Sequence, residues 1–157
     1  MAQGDDKGDG HKGNGLPTTT AHSFTIPSDY VAGRDVQKQI LADVAANGFD
    51  DESTFAIKLA LEEALINAIK HGNKLDPAKT VTIHAKVSPK LCEIQIEDQG
   101  PGFDRKSVPD PTLIENIEKC SGRGILLIEA YMSKVSWDRD GRRVKMVKKN
   151  VGPAAKK

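Results

Sequence analysis

The stretch Glu63-Ala64-Leu65-Ile66-Asn67-Ala68-Ile69-Lys70-His71-Gly72-Asn73 places two polar side chains where an amphipathic helix has no solvent face to offer them. At 3.6 residues per turn, Ile57, Leu61, Ala64, Leu65 and Ala68 line up as one apolar stripe, and Lys58 and Glu62 mark the solvent side. Glu63 and Asn67 belong to neither. They sit four apart on a line with Ala56 and Ala60, bounded by Leu59 and Ile66 on one side and Ala64 on the other. A carboxylate and an amide so shielded need partners, since a buried polar group left unpaired costs about 1–3 kcal/mol. A ligand held in a cleft would supply them. A hydrogen bond between the two, or to a neighbouring loop, would supply them equally, as is common at i and i+4.

Asp50 or Asp51 is placed to cap this helix, and Gly72 closes it just after His71. Upstream, Ser28 or Asp29 caps a helix running through Asn47 to a stop at Gly48, and Ser23–Pro27 reads as a short edge strand. Downstream, Val81–Val87 and Leu91–Glu97 alternate strictly, with Val81, Ile83, Ala85 and Val87 on one face and Cys92, Ile94 and Ile96 on another. Joined at Ser88-Pro89-Lys90, they predict a hairpin with one buried face. A polar stretch from Gly100 to Gly122, broken by Pro101, Pro109 and Pro111 and with a short helical piece around Leu113–Ile117, is long enough to be functional or mobile. Gly124–Met132 reads as a helix, and Lys134–Arg139 with Arg143–Lys148 as a closing hairpin turned by Asp140-Gly141. The order strand, helix, helix, strand, strand, helix, strand, strand predicts an α+β fold, a mostly antiparallel mixed sheet with helices on one face.

Strand parity continues from Cys92, Ile94 and Ile96 to Asp98, so an acid stands at the inward end of a strand, which is expensive unless something donates to it. Gly100-Pro101-Gly102 follows at once, and glycines there let a flat ligand approach the backbone. Such a carboxylate accepts from an exocyclic amino group of the kind adenine carries. An Asp-initiated turn with glycines for geometry accounts for the same residues. Ser121-Gly122-Arg123-Gly124 precedes an apolar helix whose free N–H donors suit phosphate oxygens, with Arg123 adding a charge-assisted contact. A plain N-terminal cap is the other explanation. The chain has no G-x-x-x-x-G-K-[ST] loop, and lacks the protein-kinase set of Gly-rich loop, lysine strand and Asp-Asn loop.

With 157 residues, 38% of them hydrophobic, the chain is sized for one domain. Lys plus Arg number 23 against 22 Asp plus Glu, a formal charge of +1, so no global field gathers nucleic acid. No run reaches the roughly 20 apolar residues of a membrane span, and the start lacks a basic segment followed by an apolar one. Cys92 and Cys120 lie outside any metal or redox spacing and form a disulfide only if the fold brings them together. The expectation is a reduced, cytoplasmic protein without a membrane partner. Residues 1–21 are expected to be a disordered leader and 150–157 a flexible basic tail, around a folded domain at 22–149.

Taken together, the segment Glu63 to Asn73 (E-A-x-x-N-A-x-x-H-G), Asp98-Gln99-Gly100-Pro101-Gly102-Phe103 and Gly122-Arg123-Gly124-Ile125 resemble, in order and spacing, the N, G1 and G2 boxes of the GHKL ATPases. The resemblance covers nearly the whole folded part. The short single-domain format looks like the bacterial anti-sigma-factor serine/threonine kinases, regulators that switch partners with an anti-anti-sigma protein of the STAS type. It implies a two-layer sandwich of the Bergerat type that takes ATP and Mg2+. On this resemblance Asn67 coordinates magnesium through its amide oxygen, which suits a hard cation that keeps its waters and leans on phosphates. Glu63 matches the general base that takes the proton from a partner's serine hydroxyl as it attacks the γ-phosphate. Asp98 matches the adenine-reading acid, with Gly100 and Gly102 shaping the adenine side and Gly122, Arg123 and Gly124 the phosphate side. Phe103 and Ile125, which end those two boxes, count among the nucleotide-binding positions, and Phe103–Ser121 matches the lid.

His71, two turns beyond Glu63, lies near the phosphates on this resemblance, or is a helix-terminal histidine stabilised by the dipole. Arg34 matches loosely the position of a partner-contacting arginine, an exposed surface residue being its default. One departure stands out: where family members often carry a threonine near adenine, the final hairpin reads Gly141-Arg142-Arg143-Val144-Lys145-Met146, whose basic run is a partner surface or an edge strand guarded by charge. The expected activity is that of a protein serine/threonine kinase acting on an anti-anti-sigma partner, with a sigma factor as a further partner and a homodimer as a frequent arrangement in lookalikes. The alternative is an ATP-dependent regulatory binding module with little or no kinase activity. The ATP-binding half of a histidine kinase is disfavoured, because no phosphoacceptor helix pair precedes Ser23.

Overall fold

The computed structural model describes residues 19–102 and 120–151. Residues 1–18 of the expected leader, 103–119 of the expected lid and 152–157 of the expected tail lie outside the described residues, whereas Cys120 and Ser121, counted in that lid, open a helix. The first element, β1 (Thr20–Pro27), starts two residues before the boundary expected from composition. Helix α1 (Tyr30–Ala46) is capped by Asp29, whose carboxylate accepts the Val31 N–H at 3.1 Å. Ser28, the other candidate cap, turns inward and donates to the Lys79 carbonyl at 2.8 Å. The chain leaves α1 through Gly48 at φ +75, the left-handed conformation that ends many helices.

Helix α2 (Asp51–Ile66) is capped by Asp50, which accepts the Ser53 N–H at 3.0 Å, and carries Asp51 and Glu52 in its first turn, where they complement the dipole. It does not run as an α-helix to His71. At Asn67 it widens into a π-helical stretch, Asn67–Gly72, which closes with the Asn73 N–H donating at 2.9 Å to the Ala68 carbonyl five residues back.

The remaining elements are β2 (Thr80–Val87), β3 (Leu91–Glu97), α3 (Cys120–Tyr131), β4 (Lys134–Asp138) and β5 (Arg143–Lys149). The sheet order is β1-β2-β3-β5-β4, and every ladder among the described residues is antiparallel, so the expected α+β fold is found, with antiparallel pairing throughout these residues where a mostly antiparallel mixed sheet was expected. The final strand is not an edge: β5 inserts between β3 and β4.

Register explains the core. Ile83 stands opposite Phe24 on one side and Ile96 on the other, and Ile94 stands between Ala85 and Met146, all on the face covered by the helices. Ile40 and Val44 of α1, Ile57 and Leu61 of α2 and Ile128 of α3 are fully buried against them, each contributing about 1.5–3 kcal/mol. The other face of the sheet is polar and carries cross-strand ion pairs: Lys145 with Glu93 at 3.0 Å, Arg143 with Asp138 at 2.7 Å and Arg139 with Glu97 at 3.3 Å. The basic run of the last hairpin therefore meets acids of its own sheet. Cys92 is a buried free thiol, pushed up to about 12 by burial first and then by Asp43 and Glu93, so it is unreactive at neutral pH. Among the described residues no helix is long and apolar enough to cross a membrane.

Candidate functional site

Glu63 and Asn67 are half-buried at the point where α2 becomes π-helical, and they face α3. Gly124 of α3 packs directly on them: a methyl group there would stand 2.8 Å from Glu63 Oε1 and 3.5 Å from Asn67 Oδ1. The missing side chain is what lets the two helices close. Helix α3 begins at Cys120, so Gly122, Arg123 and Gly124 lie in its opening turns and not in the loop ahead of it that the sequence predicts. Ile125 is buried, whereas the Arg123 side chain and Phe103 lie outside the described residues.

The Asn67 amide removes one of the explanations left open by the sequence. Its Nδ2 is shielded from solvent and has no hydrogen-bond partner among the described residues, so Glu63 does not accept from it. An i, i+4 bond between the two side chains does not account for their placement. An orphaned buried amide nitrogen costs about 1–3 kcal/mol, a demand that a ligand can meet.

The second cluster forms at the other end of the same π-helical stretch. Asp98 is half-buried; its backbone N–H donates to the Arg142 carbonyl at 3.0 Å, and its Oδ1 accepts the Gly100 N–H at 2.8 Å. Gly72 lies against this carboxylate, where a methyl group would come within 2.6 Å of Oδ1. Gly100 in turn packs on the Gly72 carbonyl, and Gly102, at φ +85, lies under the Asp140 carbonyl. Asp98, Gly100 and Gly102 are thus assembled by Gly72 and by the β4–β5 turn. The sequence reading treated Gly72 as a helix stop and Asp140 and Arg142 as part of a hairpin. Their role is a long-range contact with no local signal.

Burial pushes the Asp98 carboxyl above its ordinary value, opposed by the Gly100 N–H and the Arg142 charge. Two opposite trends follow. The folded chain holds this proton more tightly than the unfolded one, so Asp98 lowers fold stability as pH rises from the ordinary Asp range through its raised pKa. A ligand amino group donating to Asp98 would need the ionised form, so affinity for such a ligand is full above the raised pKa and falls as pH drops through it. Calorimetric titration across a pH series is expected to show this fall beginning above the ordinary Asp pKa. Asp98→Asn should lack that component, and an equal pH profile in both chains would show that Asp98 does not titrate with binding.

His71 is half-buried, and burial, then the charges of Lys70 and Lys74, hold its pKa below the usual histidine value, so the ring is neutral at pH 7. Arg34 joins neither cluster. It is exposed on α1 and lines a cavity of about 340 Å³ between α1 and α2, with Tyr30, Gln37, Glu62, Ile66 and Lys70.

Residues 26–148 match the family model of the histidine kinase-like ATPase domain. The chain is 33% identical over 98 residues to an anti-sigma F factor of Clostridium perfringens, covering 59% of this chain and 70% of that protein. It is 36% identical over 88 residues to an anti-sigma F factor of Halalkalibacterium halodurans (54% and 59%), and 32% over 94 residues to the serine-protein kinase RsbW of Listeria innocua (56% and 60%). The match thus spans less than two thirds of the latter two proteins. A crystal structure of the RsbU and RsbW domains of a Mycobacterium tuberculosis protein superposes with a TM-score of 0.57 at 17% identity, covering 83% of this chain and 31% of that one, a likeness of fold. With the family model running from the end of β1 almost to the end of β5, well over half of its length, this chain belongs to the histidine kinase-like ATPase domain family.

Proposed function

We propose that this chain binds ATP with magnesium and acts as an anti-sigma-factor-like serine/threonine kinase on an anti-anti-sigma partner of the STAS type. The observation that carries the reading is the shielded, unpartnered Asn67 amide beside Glu63 and Gly124, at one end of the π-helical stretch whose other end holds Asp98. Asn67 offers the neutral oxygen donor that a hard cation takes alongside water and phosphate oxygens, so the residues present fit magnesium. Asp98 would accept from the adenine amino group, and the opening turns of α3 would face the phosphates.

In the transfer step Glu63 takes the proton of the partner's serine hydroxyl while that oxygen attacks the γ-phosphorus. The bond from phosphorus to the β–γ bridging oxygen breaks, and ADP leaves. The names of the relatives, anti-sigma F factor and serine-protein kinase RsbW, support the same reading. Arg34, exposed beside the α1–α2 cavity, is assigned to partner binding.

The test is transfer of labelled γ-phosphate from ATP to a co-incubated STAS-type protein. Magnesium-dependent phosphoserine on that partner is the expected result. Retention of the partner in the presence of ATP, without label on it, would replace the kinase by a regulatory binding module. Arg34→Ala is expected to weaken partner retention about tenfold while leaving ATP affinity unchanged, as measured by calorimetry with each ligand. Unaltered partner affinity would move the docking surface elsewhere.

A further inference from the structure

The segment that follows His71 is tied down by one side chain. Asn73 is 0% exposed, and its amide uses both ends: Oδ1 accepts the Gln99 N–H at 2.8 Å, while Nδ2 donates to the Thr80 carbonyl at 2.9 Å and to Ser28 Oγ at 3.0 Å. These partners come from three separate places: the β1–α1 junction, the start of β2 and the loop leaving β3. Gln99 is held a second time, its Oε1 accepting the Thr80 N–H at 2.7 Å. The next two residues, Lys74 and Leu75, both sit in the left-handed region at φ 54 and 59, a conformation non-glycine residues keep only where the surroundings impose it.

Gln99 lies between Asp98 and Gly100, so fixing its peptide fixes the geometry of the carboxylate. With the Asp98 N–H on Arg142 and Oδ1 committed to the Gly100 N–H, Oδ2 has no protein hydrogen bond among the described residues. We propose that Asn73 is the positioning residue of this loop: by holding the Gln99 peptide it keeps Asp98 Oδ2 aimed at the base, and so sets the preference for adenine over guanine. The inference rests on the ATP reading above. Adenine presents an amino donor at the edge where guanine presents a carbonyl oxygen, and a fixed carboxylate accepts from the first and repels the second. A carboxylate free to swing loses that distinction, because water can replace either contact.

The experiment compares ATP and GTP affinities of the full chain by calorimetry, in the parent and three variants. Asn73→Ala removes the hold on the Gln99 peptide N–H and leaves the Gln99 side chain on Thr80. Gln99→Pro deletes the N–H that Asn73 grips while leaving Asn73 in place, and so serves if Asn73→Ala does not fold. Ser28→Ala breaks the other end of the network and controls for lost stability. The expected result is a parent that prefers ATP, a preference reduced about tenfold or more in Asn73→Ala and Gln99→Pro, and a parental ratio in Ser28→Ala. A parental ratio in Asn73→Ala or Gln99→Pro, or an equal loss in Ser28→Ala, would overturn the assignment of Asn73 and leave the ATP reading standing. A parent that binds neither nucleotide, or both alike, would overturn the two together.

Discussion

Glu63→Gln is expected to lower phosphate transfer to the STAS-type partner by about 10²–10⁴-fold, while ATP affinity stays within about twofold of the parent. The two side chains have the same shape, so the amide fills the space beside Gly124 and Asn67 that the carboxylate fills now. What it loses is the ability to take a proton. A general base contributes in the transition state and little to ground-state binding, which is why rate and affinity should separate. Single-turnover transfer and calorimetry on the same preparation measure both. Transfer at the parental rate would remove Glu63 from the chemistry, and a parallel loss of affinity would make it a binding group. Gly124→Ala offers an independent approach, since its methyl group, 2.8 Å from Oε1, displaces the carboxylate without removing its charge. The same separation of rate from affinity is expected there.

How much of this was legible depended on whether the deciding interaction was local. The hairpin was, because strict alternation leaves no other register: Val81, Ile83, Ala85 and Val87 with Cys92, Ile94 and Ile96 are all buried as the pattern requires. The Asp50 cap and the Gly48 stop were legible for the same reason. The widening at Asn67 was not. Over six residues an α-helix and a π-helix bury the same apolar side chains, and the choice falls to the Asn73 N–H reaching back to Ala68 while its side chain is held by Ser28, Thr80 and Gln99. Nor was the start of α3. Gly122 and Gly124 each disfavour a helix by about 1 kcal/mol, and close packing of Gly124 on α2 outweighs that preference.

The candidate site divides along the same line. Glu63 and Asn67 betrayed themselves by lying off both faces of a helix, and Asp98 by strand parity. Gly72, Asn73, Asp140 and Arg142 complete the Asp98 loop from positions 25 to 44 residues away along the chain, and no local pattern announces a contact of that range. Arg34 was legible as a residue of α1 but not as part of an α1–α2 cavity, whose wall is completed by residues of α2 and the π-helical stretch far along the chain.

Gly100→Ala tests whether that long-range assembly closes the adenine side. The added methyl group falls on the Gly72 carbonyl, with the Gly72 Cα at 3.0 Å, so everything it meets is backbone and no rotamer change relieves it. Gly72 has little room to retreat, because the space where its own side chain would stand is filled by the Asp98 carboxylate, and Asp98 is tied to Arg142. Overpacking of this kind is expected to cost about 3 kcal/mol of stability and to reduce ATP affinity tenfold or more. Gly33→Ala is the matched control. Its methyl group meets the ends of two flexible side chains, Ile69 at 3.2 Å and Leu65 at 3.9 Å, and replacing a helical glycine returns about 1 kcal/mol, so the variant should melt near the parent and bind ATP normally. Thermal denaturation and calorimetry on the pair separate a general intolerance of side chains from a specific one. If Gly100→Ala melted and bound ATP like the parent, the seating of the Asp98 loop on Gly72 would not be what shapes the site, and the adenine side would have to be built by some other contact.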